Sequence, residues 1–248
     1  MYIIMEVKSI LIFVIIVVLL VVVIRYVMSD VSTLSGLSSA QNMQQIQPAD
    51  LSPSDSSGST SNFTYSIWFY VDDWNYRYGE PKVIFGRMTT GSGQNEPCPS
   101  VVLGPVQNNV IVSLAVYPGL DEQPTDGNNF IVHNCSIANV PIQRWCNLTV
   151  SAYGRTLDLY LDGKLVRTCV LPGVAKIDAN APVYITPMGG FSGWTANFKY
   201  WPDSCDPQKA WNIYKEGYGG SLLGNLFGKY TIKVSLMEGD TVDSSLTI

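Results

Sequence analysis

The sequence predicts an all-β domain: a two-sheet antiparallel sandwich of the jelly-roll type with one short late helix. A single N-terminal transmembrane helix is predicted ahead of it. Three observations carry this reading. Short apolar runs with period-two alternation recur along the chain, separated by clusters among its 21 Gly and 14 Pro. One stretch, Cys146–Val170, reads as a three-stranded meander. Near the N-terminus, Ile10–Ile24 is an unbroken apolar run.

That apolar run explains much of the composition. Only 14% of the 248 residues are charged, and the mean hydropathy is +0.14. An average soluble domain carries roughly 25% charged residues. At 1.5 Å per residue the strict run falls short of a ~30 Å hydrocarbon core. Ser9 and the residues up to Met28 complete the required span of about 20. Arg25 can snorkel toward the interface and Tyr26 suits the headgroup layer, which makes them the membrane-interface residues. A cleaved signal would need a small-x-small site after the run, and Arg25-Tyr26-Val27-Met28 offers none. Residues 1–28 are therefore read as an anchor in the lipid bilayer. Lys8 and Arg25 flank the run on opposite sides, so charge leaves its orientation open.

Residues 29–61 are rich in Ser, Gln and Pro, and no Lys or Arg occurs between Arg25 and Arg77. Such a stretch buries too little apolar surface to order itself, so it reads as a linker. A coil of that length has a root-mean-square reach of roughly 30 Å. The alternative is that Leu34, Leu37 and Ile46 order against a partner.

The domain is placed at 62–248. In its first strand Phe63, Tyr65, Ile67, Phe69 and Val71 share one face; Trp68 and Tyr70 make the other face aromatic. Further β runs are Lys82–Phe85, Val101–Leu103, Val110–Val116 and Phe130–His133. In the meander, Cys146, Leu148, Val150 and Ala152 alternate with polar residues, and Leu157, Leu159 and Leu161 do the same after a turn at Gly154-Arg155. Asp162-Gly163 is a two-residue hairpin signal, because both central positions want positive φ. Trp194, Ala196, Phe198 and Tyr200 are expected on one face of a later strand, and Tyr230–Met237 gives a last one. The helix is expected between an Asp206 cap, Pro207 at its first position, and Gly217 past its end. Ala210, Trp211, Ile213 and Tyr214 form its apolar stripe, which is expected to cover one end of the sandwich.

Three of these stretches together resemble the concanavalin A-like sandwich of the laminin-G-like and pentraxin type. They are the FTYSIWFYV strand at Phe63–Val71, the meander with its preceding tryptophan at Trp145–Val170, and the aromatic strand plus helix at Gly193–Gly217. The added anchor, Ser-rich tether and DDWNYRYGEPKVIFGR segment resemble membrane-anchored proteins of large algal and amoebal DNA viruses. Some of those are minor capsid components between internal membrane and capsid shell. The resemblance implies a non-enzymatic virion structural protein whose partners are lipid and the major and other minor capsid proteins. It implies a location in the virion, with the sandwich outside the bilayer. The rival reading is a lectin-like surface protein that binds host glycans.

Related glucanases carry a Glu-x-Asp-x-x-Glu strand that sets two carboxylates for catalysis. That spacing is absent, and Glu80, Glu96, Glu122, Glu216 and Glu238 stand alone. His133, the one histidine, has no motif partner, and no nucleotide or zinc motif occurs. No catalytic residue and no required cofactor is therefore expected. Beyond residue 61 the chain has 16 acids against 13 bases, which excludes a basic nucleic-acid footprint. Laminin-G-like domains often carry Ca2+, for which Asp72, Asp73, Asp121, Glu122 and Asp126 supply hard oxygen ligands. Trp74, Tyr76 and Tyr78 lie in a polar loop and are the candidates for glycan or partner contact. Five cysteines allow two bridges and one free thiol, and reduced core positions suit Cys146 and Cys169 equally well. Three sequons begin at Asn62, Asn134 and Asn147; the last sits within a strand, which disfavours glycosylation.

Overall fold

The structure, a computed structural model, describes residues 16–20, 33–51, 61–89, 96–119, 129–219, 233–238 and 241–247. The chain forms two compact units, Met1–Val31 and Ser32–Ile248. In the first, residues 16–20 are helical and their apolar side chains are exposed. The rest of the expected anchor, with Arg25 and Tyr26, lies outside the described residues. Among the described residues no helix is long and apolar enough to cross a membrane.

The second unit is the expected sandwich. In chain order its strands are β1 (Thr33–Ser35), β2 (Ser38–Ser39), β3 (Gln44–Ile46), β4 (Phe63–Asp73), β5 (Lys82–Thr89), β6 (Glu96–Leu103), β7 (Val110–Val116) and β8 (Ile131–Ile137). Then follow β9 (Trp145–Tyr153), β10 (Thr156–Leu161), β11 (Lys164–Val170), β12 (Val183–Ile185), β13 (Ser192–Trp201), helix α1 (Pro207–Glu216), β14 (Lys233–Glu238) and β15 (Thr241–Thr247). One sheet has seven strands, in the order β1-β13-β4-β9-β10-β11 with β2 also on β13. The other has six, in the order β3-β12-β5-β6-β7-β8. β14 and β15 pair as a separate hairpin, so the expected last strand has a partner the sequence did not disclose.

The core lies between the two large sheets. Tyr65, Ile67 and Phe69 of β4 meet Phe85, Val101, Val112 and Phe198, all buried. The meander forms as read: β9 pairs β10 and β10 pairs β11. Its Asp162-Gly163 turn has φ of 51° and 72° at the two central residues. The positive φ values match the twist of the flanking strands.

The linker assigned to 29–61 is corrected over 33–51. β1 pairs β13 and β3 pairs β12, while Ala40, Ile46 and Leu51 are buried in the core. A sheet edge satisfies the backbone of a Ser- and Gln-rich segment, and a few apolar residues suffice to fix it. Leu34 packs on this same core, whereas Leu37 is exposed.

The helix position is also corrected. α1 lies on the outer face of the seven-stranded sheet rather than over an end. Its Ala210 and Ile213 pack with Tyr160 of β10 and Cys205 in a second, smaller cluster. Asp206 caps it by accepting from the Lys209 amide at 2.6 Å.

Cys135 of β8 and Cys169 of β11 form a disulfide. These strands are the outer edges of the two sheets, so the bond closes one side of the sandwich. Cys98, Cys146 and Cys205 are buried free thiols.

Candidate functional site

Along the outer face of β4 the residues run Thr64, Ser66, Trp68, Tyr70, Asp72. Strand register places the first four beside their counterparts on β13 and β9. Ser66 stands between Lys199 and Thr149, Trp68 between Ala196 and Asn147, and Tyr70 between Trp194 and Trp145.

The first half of this face is covered. Thr64 donates to the Asp203 carbonyl at 2.6 Å, and the Cys205 amide donates to Ser151 Oγ at 2.8 Å. Asn147 Nδ2 and Thr149 Oγ1 both donate to Ser66 Oγ, at 3.0 and 3.1 Å. Asn147 is fully buried in this layer, which closes its sequon to a glycan. Lys199, also buried, pairs with Glu216 at the end of α1. Tyr214 stacks on Trp68 with ring centroids 5.6 Å apart.

The second half is open. Tyr70, Asp72, Trp145, Trp194, Tyr218 and Leu37 line a shallow groove of about 480 Å³. Trp194 is 47% exposed and Tyr218 40%. Tyr70 and Trp145 lie 5.7 Å apart, and Tyr218 stacks on Trp145 at 4.6 Å with planes 7° apart. Trp194 has no ring stacked on it among the described residues.

A bulge aims Trp194 outward. Between Ala196 and Lys199 β13 carries one extra residue relative to β4, and Asn197 takes φ of 49°. The bulge reverses the alternation. Trp194 and Ala196 therefore point away from the core, while Phe198 and Tyr200 pack into it beside Tyr65. The expected single face of Trp194, Ala196, Phe198 and Tyr200 is thus corrected. Asn197 also donates from Nδ2 to the Gly217 carbonyl at 3.0 Å, which fixes the chain just before Tyr218.

The residues singled out in the sequence are dispersed. Asp72 lies in the groove. Asp73 accepts from the Asn75 amide at 2.8 Å, closing a turn. Asp121, Glu122 and Asp126 lie outside the described residues. Among the described residues no three His, Cys, Asp or Glu side chains converge to hold a metal. Trp74 lines a separate cavity of about 540 Å³ with Gln107, Asn108, Asn109, Asn139 and Ile142. Its indole donates to the Val106 carbonyl at 3.2 Å, and the Lys82 ammonium sits 4.7 Å from its ring centre. Burial and, next, Arg77 push the Lys82 ammonium below its usual range. Tyr76 donates to the Gly189 carbonyl at 3.1 Å, and Arg77 donates to the Met188 carbonyl. Both serve to pin their loop to the turn before β13. Tyr78 is exposed. His133 is a half-buried residue of β8.

Among the described residues, the groove offers ring faces and a single carboxylate. Glycoside hydrolysis by the usual route needs two. The arrangement suits binding.

The profile of the concanavalin A-like lectin/glucanases superfamily matches residues 45–199. The chain belongs to this superfamily. The match takes in Tyr70, Trp145 and Trp194, and it starts inside the stretch whose composition resembles a linker. A search of curated proteins finds no match. Among solved structures, a tryptophan-to-alanine mutant of HCR/D is 12% identical with a TM-score of 0.50, covering 72% of this chain and 41% of that one. The ligand-binding domain of botulinum neurotoxin serotype D, in complex with N-acetylneuraminic acid, is 11% identical with a TM-score of 0.49, covering 74% and 46%. The serotype G binding domain is 12% identical with a TM-score of 0.48, covering 73% and 46%. The chain spans less than half the length of these structures, and the likeness is one of fold.

Proposed function

We propose that this superfamily member is a non-catalytic, membrane-tethered protein that binds carbohydrate through the groove on its seven-stranded sheet. The observation that carries the reading is the row Trp194–Tyr70–Trp145, three aromatic side chains opposite one another on three adjacent strands. Flat apolar ring faces beside a hydrogen-bond acceptor suit the apolar face and hydroxyl rim of a pyranose. Trp194 supplies the free face and Asp72 the acceptor. The apolar run Ile10–Ile24, helical and exposed where it is described, supports the tether. A glycan array with the full chain in detergent tests the reading. Selective binding that falls tenfold or more in Trp194→Ala, about 1.4 kcal/mol, is the expected result. No binding to any glycan would overturn it.

A second reading keeps the tether and changes the partner: a minor capsid component of a virion, joining an internal membrane to the shell. The observation that favours it is β11, an edge strand whose Leu165, Val166 and Val170 are 48%, 44% and 70% exposed. An edge strand offers unpaired backbone groups to another chain. Cross-linking from a photoreactive group at Val166 to a shell protein in purified particles would support it, and its absence would count against it.

A further inference from the structure

We infer that the groove selects sugars bearing a protonated amine over neutral and acidic ones. This deepens the carbohydrate reading and rests on it. The argument is charge complementarity. Among the described residues the groove is lined by Leu37, Tyr70, Asp72, Trp145, Trp194 and Tyr218: one carboxylate, four aromatic rings and no lysine or arginine. The Asp72 carboxylate takes part in no ion pair or hydrogen bond among the described residues; the bond from Gln143 Nε2, at 3.4 Å, goes to its backbone oxygen. An aromatic face carries partial negative charge and attracts an ammonium within about 6 Å of the ring centre.

Elsewhere the molecule fills such positions with its own lysines. Lys82 lies 4.7 Å from the Trp74 ring centre, Lys176 lies 4.8 Å from Phe130, and Lys209 lies 5.1 Å from Trp201. Among the described residues, no cation sits over the rings of the groove. The open face of Trp194 and the Asp72 carboxylate thus have no cation of the described residues against them. A hexosamine ammonium answers both at once. N-acetylation removes that charge, and a uronic acid would set carboxylate against Asp72.

The test is calorimetric titration of the full chain in detergent with four tetrasaccharides, of glucosamine, glucose, N-acetylglucosamine and galacturonic acid. The glucosamine tetramer is expected to bind at least tenfold tighter than the glucose tetramer, and the galacturonic tetramer most weakly. Asp72→Asn, which keeps size and shape, should bring glucosamine and glucose within about twofold, with the larger loss on glucosamine. Asp73→Asn should keep the preference, because its side chain closes a turn outside the groove; an equal loss in both variants would mean general attraction to an acidic protein and overturn the inference. Equal binding of the amino and neutral tetramers would overturn it too, while leaving the carbohydrate reading intact. Binding of none of the four, with a silent glycan array, would end both.

Discussion

Tyr218 lies flat on Trp145, with ring centroids 4.6 Å apart and planes 7° apart. One residue follows the C-cap of α1 and the other opens β9. The contact therefore joins the helix that covers one half of the sheet face to the aromatic row that occupies the other. Whatever holds the helix terminus also shapes the groove.

Asn197 is such a holder. It makes the bulge that turns Trp194 outward, and its amide bonds the Gly217 carbonyl. Asn197→Ala loses that bond and places a side chain with little tolerance for positive φ at φ of 49°. We expect a loss of about 1–3 kcal/mol in urea denaturation. Asn197→Gly keeps the backbone and should lose roughly 1 kcal/mol, the share of the hydrogen bond. Both should weaken glycan binding.

Gly163 lies beneath α1. A Cβ there would meet Tyr214 Cβ at 2.8 Å and the Trp211 Cα at 3.2 Å, at φ of +72°. Gly163→Ala must push the helix from the sheet. Destabilisation of about 1–3 kcal/mol is expected in denaturation, with reduced packing of Tyr214 on Trp68 visible in tryptophan fluorescence.

The Cys135–Cys169 bond closes a loop with a sequence separation of 34 residues between the two sheet edges. Chain entropy puts its contribution at about 2–4 kcal/mol. Dithiothreitol, or Cys169→Ser, should lower the denaturation midpoint accordingly. Dithiothreitol should then have no further effect on Cys169→Ser, and Cys146→Ser should leave sensitivity to reductant intact.

The free thiols predict alkaline behaviour. Burial pushes Cys146, and likewise Cys205, from 9.0 up to about 11. Between pH 9 and 11 the unfolded thiols ionise while the folded ones keep their protons. The unfolded state binds fewer protons there, so stability falls as pH rises through that window. Denaturation midpoints from pH 8 to 11 should decline above pH 9, and less steeply in Cys146→Ser.

Much of the fold can be read in the sequence because its signals are local. The meander follows from alternation and one Asp-Gly pair, and α1 from Asp206, Pro207 and Gly217. The fate of 33–51 could not be read, since composition measures what a segment buries alone and not what a sheet edge offers it. The groove was half legible. Trp68 and Tyr70 show as an aromatic second face of β4. Trp145 and Trp194 join them only through register between strands distant in sequence, and only because the extra residue at Asn197 flips the phase of β13. Trp74, Tyr76 and Tyr78 stand out in the sequence as loop aromatics, yet Trp74 and Tyr76 are tied to neighbouring carbonyls.

The six tryptophans give six indole N–H resonances, which makes the location of binding directly measurable. The full chain in detergent micelles would be titrated with a glycan that the array selects, and the indole shifts followed by two-dimensional NMR. The account predicts that Trp194 and Trp145 move, while Trp74 and Trp211 stay in place. Movement of Trp74 with Trp194 and Trp145 silent would contradict it.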